Sequence, residues 1–352
     1  MSQQQEAKTF GDWAKIAIAK HFDKILKHEN EVLQDKDPEE LHQMRVGMRR
    51  LRSAMTGFAP AINLPKPAGE KQVGKVAKVL GKLRDLDVLQ KSLKSENTAL
   101  PARERGLQGA EVNSAHSPSP SSRPQRTQYE PNLPSAEQKS LATVLKFLKK
   151  QRKQAFKEVK TILYGDRYIR FKQELQDWLE QPSYQPIAAL KIELVLPDLL
   201  LPQIGKLLLH PGWLVGVEIK EGEIEYFDGV DPQIVEQTLE SRGEILHDLR
   251  KEAKRSRYNM ALFTQFYGEA YQDYLQQIKD IQEILGQIQD SFILVEFLES
   301  VLESDIHKQM PTLAEQLSKT RFQKWQEWEK LQRHFLNWEK RQDLRTIVQH
   351  PQ

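Results

Sequence analysis

The chain has 352 residues, enough for one large domain or two small ones. Hydrophobic residues make up 39% and charged residues 29%, yet the formal net charge is only +3, so any strong basicity must be local. Cysteine is absent, which excludes disulfides, thiol nucleophiles and cysteine metal sites and suits a reducing, cytoplasmic setting. The opening residues "MSQQQEAKTF" have no positively charged run ahead of an apolar one, so no secretory leader is expected. The most apolar stretch, 187–209, is broken by Lys191, Glu193, Pro197, Asp198, Pro202 and Lys206 and does not read as a membrane span.

Taken in order, most of the chain reads as helix. Leu, Glu, Gln, Lys and Arg dominate, and apolar residues recur at spacings of three and four. Long helices are expected near 8–35, 38–59, 69–95, 136–163, 166–180, 232–267, 270–304 and 312–347. Asp37-Pro38 and Asp231-Pro232 are helix starts, a capping residue followed by a first-turn proline. Ser135 with Gln138 fits a capping box. Residues 95–135 are rich in Ser and Pro and poor in apolar side chains, the composition of a mobile loop. Residues 182–231 are apolar but rich in Pro and Gly. They read as an ordered connector with a short helix near 198–209 and a small β-hairpin within 215–227, turning at Glu221-Gly222.

The chain also repeats itself. "LHQMRVGMRRLR" (41–52) aligns with "LHDLRKEAKRSR" (246–257), matching Leu, His and three Arg positions at an offset of 205 residues. The same offset lays "LGKLRDLDVL" (80–89) over "LGQIQDSFIL" (285–294) without a gap, matching Leu80, Gly81, Asp85 and Leu89. Two blocks in one register imply an ancient duplication and two related helical bundles. The expected organisation is a single all-α domain over 8–348, with an N-terminal half at 8–180 and a C-terminal half at 232–348.

At about 100° per residue, His42, Arg45, Arg49 and Arg52 fall within an arc of about 80°. Leu41, Met44, Met48, Leu51 and Met55 occupy the neighbouring arc, so one face packs and the adjacent face is cationic. His247, Arg250, Lys254 and Arg257 repeat the stripe, with Lys251 beside it. Two lysine stripes follow: Lys71, Lys75, Lys78 and Lys82, then Lys146, Lys149, Lys150, Lys153 and Lys157. Like charges at these spacings destabilise a helix by a few tenths of a kcal/mol per pair. Solvated faces are the plain reading of the lysine stripes; a neutralising partner is the sharper one. The second half carries Gln276, Asp280, Glu283 and Gln287 where the first has its four lysines, so the cationic surface should be heavier on the first half.

The paired blocks "LHQMRVGMRRLR…LGKLRD" and "LHDLRKEAKRSRY…LGQIQD" resemble the CHAD domain, the conserved histidine α-helical domain, over nearly the whole chain. The resemblance implies an all-helical fold of two four-helix bundles related by a pseudo-two-fold axis. It also implies a central basic groove that binds inorganic polyphosphate without catalysis or cofactor, with granule targeting as the purpose that fits the family best, ahead of storage or scaffolding. Carried over by motif position, His42, Arg45, Arg49, Arg50 and Arg52 face the ligand, as do His247, Arg250, Lys251, Lys254, Arg255 and Arg257. The tunnel domain that often precedes this family is marked by an ExExK strand. Here Glu223 and Glu225 are followed by Phe227, so a stand-alone member is implied. Gln289 stands where the first block has Arg84, which departs from symmetric binding.

The chemistry fits a polyanion. Arginine offers a bidentate fork to phosphate oxygens and lysine a point charge. Neutralising several phosphates at once releases condensed counterions. His42 and His247 would donate hydrogen bonds, and phosphate nearby would favour their protonated forms. Asp85 and Asp290 read as structural acids that orient an Arg or His. The rival reading gathers His42, Asp85, His247 and Asp290 into a divalent-metal phosphohydrolase site. A second rival is nucleic acid, against which no aromatic residue interleaves with the basic stripes as a stacking platform requires.

Overall fold

The computed structural model describes residues 7–94, 133–226, 229 and 231–352. Eleven α-helices account for most of them: α1 (Phe10–Gln34), α2 (Pro38–Gly57), α3 (Glu70–Leu93), α4 (Ser135–Leu163), α5 (Asp166–Glu180), α6 (Ile192–Leu208), α7 (Pro232–Met260), α8 (Glu269–Leu302), α9 (Ile306–Gln309), α10 (Pro311–Leu336) and α11 (Trp338–Gln349). The Ser/Pro-rich expectation for 95–135 falls almost wholly outside the described residues.

Local chemistry explains the starts. The Asp37 carboxylate accepts from the Glu39 N–H at 2.8 Å, and Asp231 does the same for Gln233 at 2.7 Å, each ahead of a proline that has no N–H to satisfy. The capping box at Ser135 does not form. Ser135 is already helical, and Gln138 Nε2 instead donates to the Leu133 carbonyl at 2.8 Å. The hairpin forms as read. β1 (Val217–Lys220) pairs antiparallel with β2 (Glu223–Tyr226), and Glu221 and Gly222 both take positive φ (51° and 89°), the geometry of a type I′ turn.

Three helices differ from expectation. The short helix expected near 198–209 begins at Ile192 and runs through Pro197 and Pro202. Each proline removes a helical hydrogen bond. Burial of Ile192, Val195, Leu196, Leu200, Ile204, Leu207 and Leu208 holds the segment helical regardless. The helix expected over 232–267 stops at Met260, because Phe263, Phe266 and Tyr267 turn into the core and the Tyr271 hydroxyl donates to the Met260 carbonyl at 3.0 Å. The helix expected over 312–347 breaks at Asn337. Its side chain accepts from the Lys340 N–H at 3.0 Å and caps α11 as a new helix.

One hydrophobic core draws on helices from α1 to α11, and a smaller cluster joins the ends of α3, α4, α8, α9 and α10. The apolar face read on α2 is buried throughout: Leu41, Met44, Met48, Leu51 and Met55. Helix α2 packs against α1, α3 and α7, while α7 packs against α6 and α8. The connector belongs to this core. Trp213 stacks on Trp328 and on Phe335 with centroids 5.2 Å apart in each case, and Gln332 Nε2 donates to the Trp213 and Val215 carbonyls. Gly216 follows with φ +80°, and a Cβ there would collide with the Trp325 ring. Trp178, Trp213, Trp325 and Trp328 are buried, whereas Trp338 is exposed. Packing α2 on α7 in this way brings their two polar faces to the same side.

Candidate anion-binding cavity

Those faces open into a cavity of about 3580 Å³, lined chiefly by α2, α3, α7 and α8. The structure brings His42, Arg45, Arg49, Arg50, Arg52, Lys78, Asp85, Arg250, Lys251, Lys254, Arg255, Arg257 and Asp290 to its lining. His247, Lys71, Lys75, Lys82, Lys146, Lys149, Lys150, Lys153 and Lys157 do not line it. The two histidines that matched in sequence are therefore not equivalent in space. His42 faces the cavity, whereas His247 keeps a buried Nδ1 with no hydrogen-bond partner.

The arginines are held in different ways. Arg45 Nη1 donates to Asp85 Oδ1 at 3.0 Å and to the Gly81 carbonyl at 3.2 Å. Arg52 is paired with Glu70. Arg255 is paired with Glu252 at 2.8 Å, and Lys251 with Asp248. Arg49 and Arg250 each keep a buried Nε with no hydrogen-bond partner. Arg49 instead lies over the Tyr258 ring at 4.8 Å, and Arg257 lies over the same ring at 4.5 Å. One aromatic residue thus stands within the basic stripe after all, and its ring already holds two guanidinium groups.

The glycines of the repeated "LG" blocks have a physical role. A Cβ at Gly81 would lie 3.8 Å from Arg45 Nη2, and one at Gly286 would lie 3.0 Å from Arg250 Nε. A Cβ at Gly74 would lie 3.6 Å from Arg52 Cζ. The absent side chains give these arginines room to lie along α3 and α8.

Crowding of like charge shows in the titrating groups. Desolvation, then Arg49, Arg250, Arg45 and Arg257, pushes the Lys254 ammonium down to about 8. Burial, then Arg257, Arg45 and Arg50, outweighs Tyr258 and lowers the Arg49 guanidinium from its usual range. Burial and the nearby Arg84, Arg49 and Arg45 lower His42; burial, Lys251 and Arg250 lower His247. In the free protein both histidines are therefore shifted toward the neutral form, opposite to the protonated state expected beside phosphate.

No three His, Asp or Glu residues gather into a group able to hold a metal ion among the described residues, so the four-residue metal cluster does not assemble. Asp85 instead holds Arg45 in place. Sequence reasoning missed Tyr258, Arg84, Lys279, Lys324, Gln282 and Gln287, all of which line the cavity. Tyr258 directly follows Arg257, which was the available signal. Arg84 lies in the repeated LGKLRD block and Gln287 at the counterpart of Lys82, which were the signals for those two, whereas Lys279, Lys324 and Gln282 belong to no basic stripe.

No curated protein matches the chain. The crystal structure of the CHAD domain from the plant Ricinus communis is similar, with a TM-score of 0.50 at 19% identity, covering 98% of this chain and 94% of that one. PptA from Streptomyces chartreusis matches with a TM-score of 0.46 at 12% identity, covering 91% of this chain and 100% of that one. No helix of the described residues is long and apolar enough to cross a membrane. The family model for the CHAD domain matches residues 16–299, and the chain belongs to that family.

Proposed function

We propose that the protein binds inorganic polyphosphate in this cavity and does not act on it, which would suit targeting to polyphosphate granules. The observation that carries the reading is the convergence of two basic helix faces, from α2 and α7, on one cavity, with Arg49 and Arg250 each keeping a buried unpartnered Nε. A flexible polyanion satisfies such donors and relieves their mutual repulsion at once. The ligand contacts proposed are His42, Arg45, Arg49, Arg50, Arg52 and Lys78 from the first half. Arg250, Lys251, Lys254, Arg255 and Arg257 supply the second. Asp85 positions Arg45.

We read the cavity as a central groove shared by two halves of a duplicated chain. In support, an arginine backed by a glycine recurs at the 205-residue offset, Arg45 against Gly81 and Arg250 against Gly286. The halves are unequal. The α3 wall offers Lys78, Arg84 and Lys91 beside Glu70, Asp85 and Asp87, whereas the α8 wall offers Lys279 as its one cation beside Gln276, Gln282, Gln287, Glu283 and Asp290.

Binding without turnover is tested by incubating the protein with long-chain polyphosphate and Mg²⁺ or Mn²⁺. The expected result is co-elution of protein and polymer on size exclusion with no release of orthophosphate, and a complex that survives chelation. Multiple turnovers that vanish on Asp85→Asn or His247→Gln would overturn the reading.

A further inference from the structure

Helix α4 carries a second cationic surface that the cavity does not absorb. Lys146, Lys149, Lys150, Lys153 and Lys157 are all exposed, and none lines the cavity. The opposite face of the helix is fixed by burial of Val144, Leu148, Ala155 and Val159, so packing turns the lysines outward. None of the five ammonium groups has an ion pair among the described residues. At 1.5 Å per residue the row from Lys146 to Lys157 is about 16 Å long. Such spacings set like charges side by side, a repulsion that a polyanion removes.

Helix α3 stands between this surface and the cavity. On α3, Lys78 lines the cavity, and Lys82, one turn further along the same stripe, pairs with Glu158 of α4 at 3.4 Å. Helix α3 thus carries lysines both at the cavity, Lys78, and at the contact with α4, Lys82. The division of residue types is also informative. Arginines, stacked on Tyr258 or backed by glycine, occupy the interior, where fixed geometry matters. The exposed lysines of α4, as mobile point charges, suit an exterior where a chain without register must be followed, while Lys78, Lys251 and Lys254 stand among the arginines of the cavity.

We propose that the α3–α4 lysine face is an exterior track for the same polyphosphate chain after it leaves the cavity. Chains longer than the cavity are held at two linked places, and short ones at one. The proposal rests on the polyphosphate reading of the cavity and deepens it by making affinity depend on chain length. Linked sites raise affinity through effective concentration, with the cavity itself unchanged.

The test replaces all five α4 lysines by glutamine (K146Q, K149Q, K150Q, K153Q, K157Q) and compares tripolyphosphate, long-chain polyphosphate and charge-matched single-stranded DNA. Tripolyphosphate affinity should stay within about twofold, since the cavity is untouched. Long-chain affinity should fall by about tenfold or more, with the log–log salt slope shallower by about 0.7 for each phosphate no longer neutralised. The matching arginine set should retain the wild-type values. The single changes K149Q and K153Q should give graded losses even if the fivefold variant folds poorly. An unchanged ratio of long-chain to tripolyphosphate affinity would overturn the track, as would a larger loss for DNA than for long-chain polyphosphate. Failure of the unaltered protein to bind tripolyphosphate would point instead to the cavity reading itself, and this proposal would fall with it.

Discussion

Arg49→Gln should be the most damaging single substitution in the cavity. Four arginines of α2 line the same cavity, and three of them start from clearly different states. Arg45 already donates to Asp85 and the Gly81 carbonyl, and Arg52 is paired with Glu70. A phosphate that recruits either must compete with an existing partner. Arg49 has no anionic partner, is largely desolvated and keeps a buried Nε unsatisfied. A phosphate oxygen there gains a charge-assisted hydrogen bond and removes an existing penalty. Such bonds are worth about 1.5–3 kcal/mol, so Arg49→Gln should weaken binding by about 10- to 150-fold. Arg52 is half exposed and already paired, so Arg52→Gln should cost about 1 kcal/mol or less, at most about fivefold. Equilibrium titration with long-chain polyphosphate at about 0.15 M salt, where surface charges are screened, measures both. An Arg52→Gln loss equal to or above that of Arg49→Gln would refute the argument from pre-pairing.

Other consequences follow from the same geometry. Lys254 titrates near 8 in the free protein, and bound phosphate must raise that value, so binding takes up a proton above pH 8. Affinity should be flat in this group's contribution below pH 8 and fall by up to about tenfold per pH unit above it, and Lys254→Arg should remove that fall. Gly286→Ala puts a Cβ 3.0 Å from Arg250 Nε and should weaken polyphosphate binding. Gly81→Ala, with 3.8 Å to spare, should leave binding nearly unchanged and gain up to about 1 kcal/mol of stability from helix propensity. Arg152 joins α4 to Asp35 and to the buried Asp87, so Arg152→Ala should lower stability in urea by about 1.5–3 kcal/mol.

The sequence and the structure agree where local chemistry decides. Asp37-Pro38 and Asp231-Pro232 start their helices because a carboxylate caps exposed N–H groups within two residues. The arc that buries Leu41, Met44, Met48, Leu51 and Met55 also turns Arg45, Arg49 and Arg52 toward the cavity, since both follow from one helical period. Agreement ends where distant residues decide. Helix α6 survives two prolines through burial against the core, a term no local propensity contains. The α4 lysines share a periodicity with the arginine stripe, but periodicity does not say which way a helix is turned, and packing of Val144, Leu148 and Val159 turns them away from the cavity. The matched histidines likewise part in space, His42 at the cavity and His247 outside it. Glu70, which sets Arg52 apart from Arg49, lies outside the basic motif and carries no signal there, whereas Glu252 stands within the second motif, three residues before the Arg255 it pairs with.

The central claim is that a linear polyphosphate, rather than any polyanion, fits the cavity where α2 and α7 meet. It is tested most directly by equilibrium binding to long-chain polyphosphate and to single-stranded DNA of matched charge, measured across a range of salt. Both should weaken with salt because several phosphates are neutralised together. Polyphosphate should bind more tightly at every salt concentration, because its closely spaced charges can reach Arg49, Lys254 and Arg257 inside the cavity while the bulk of the bases keeps DNA at the rim. Equal affinities across the range would contradict the account.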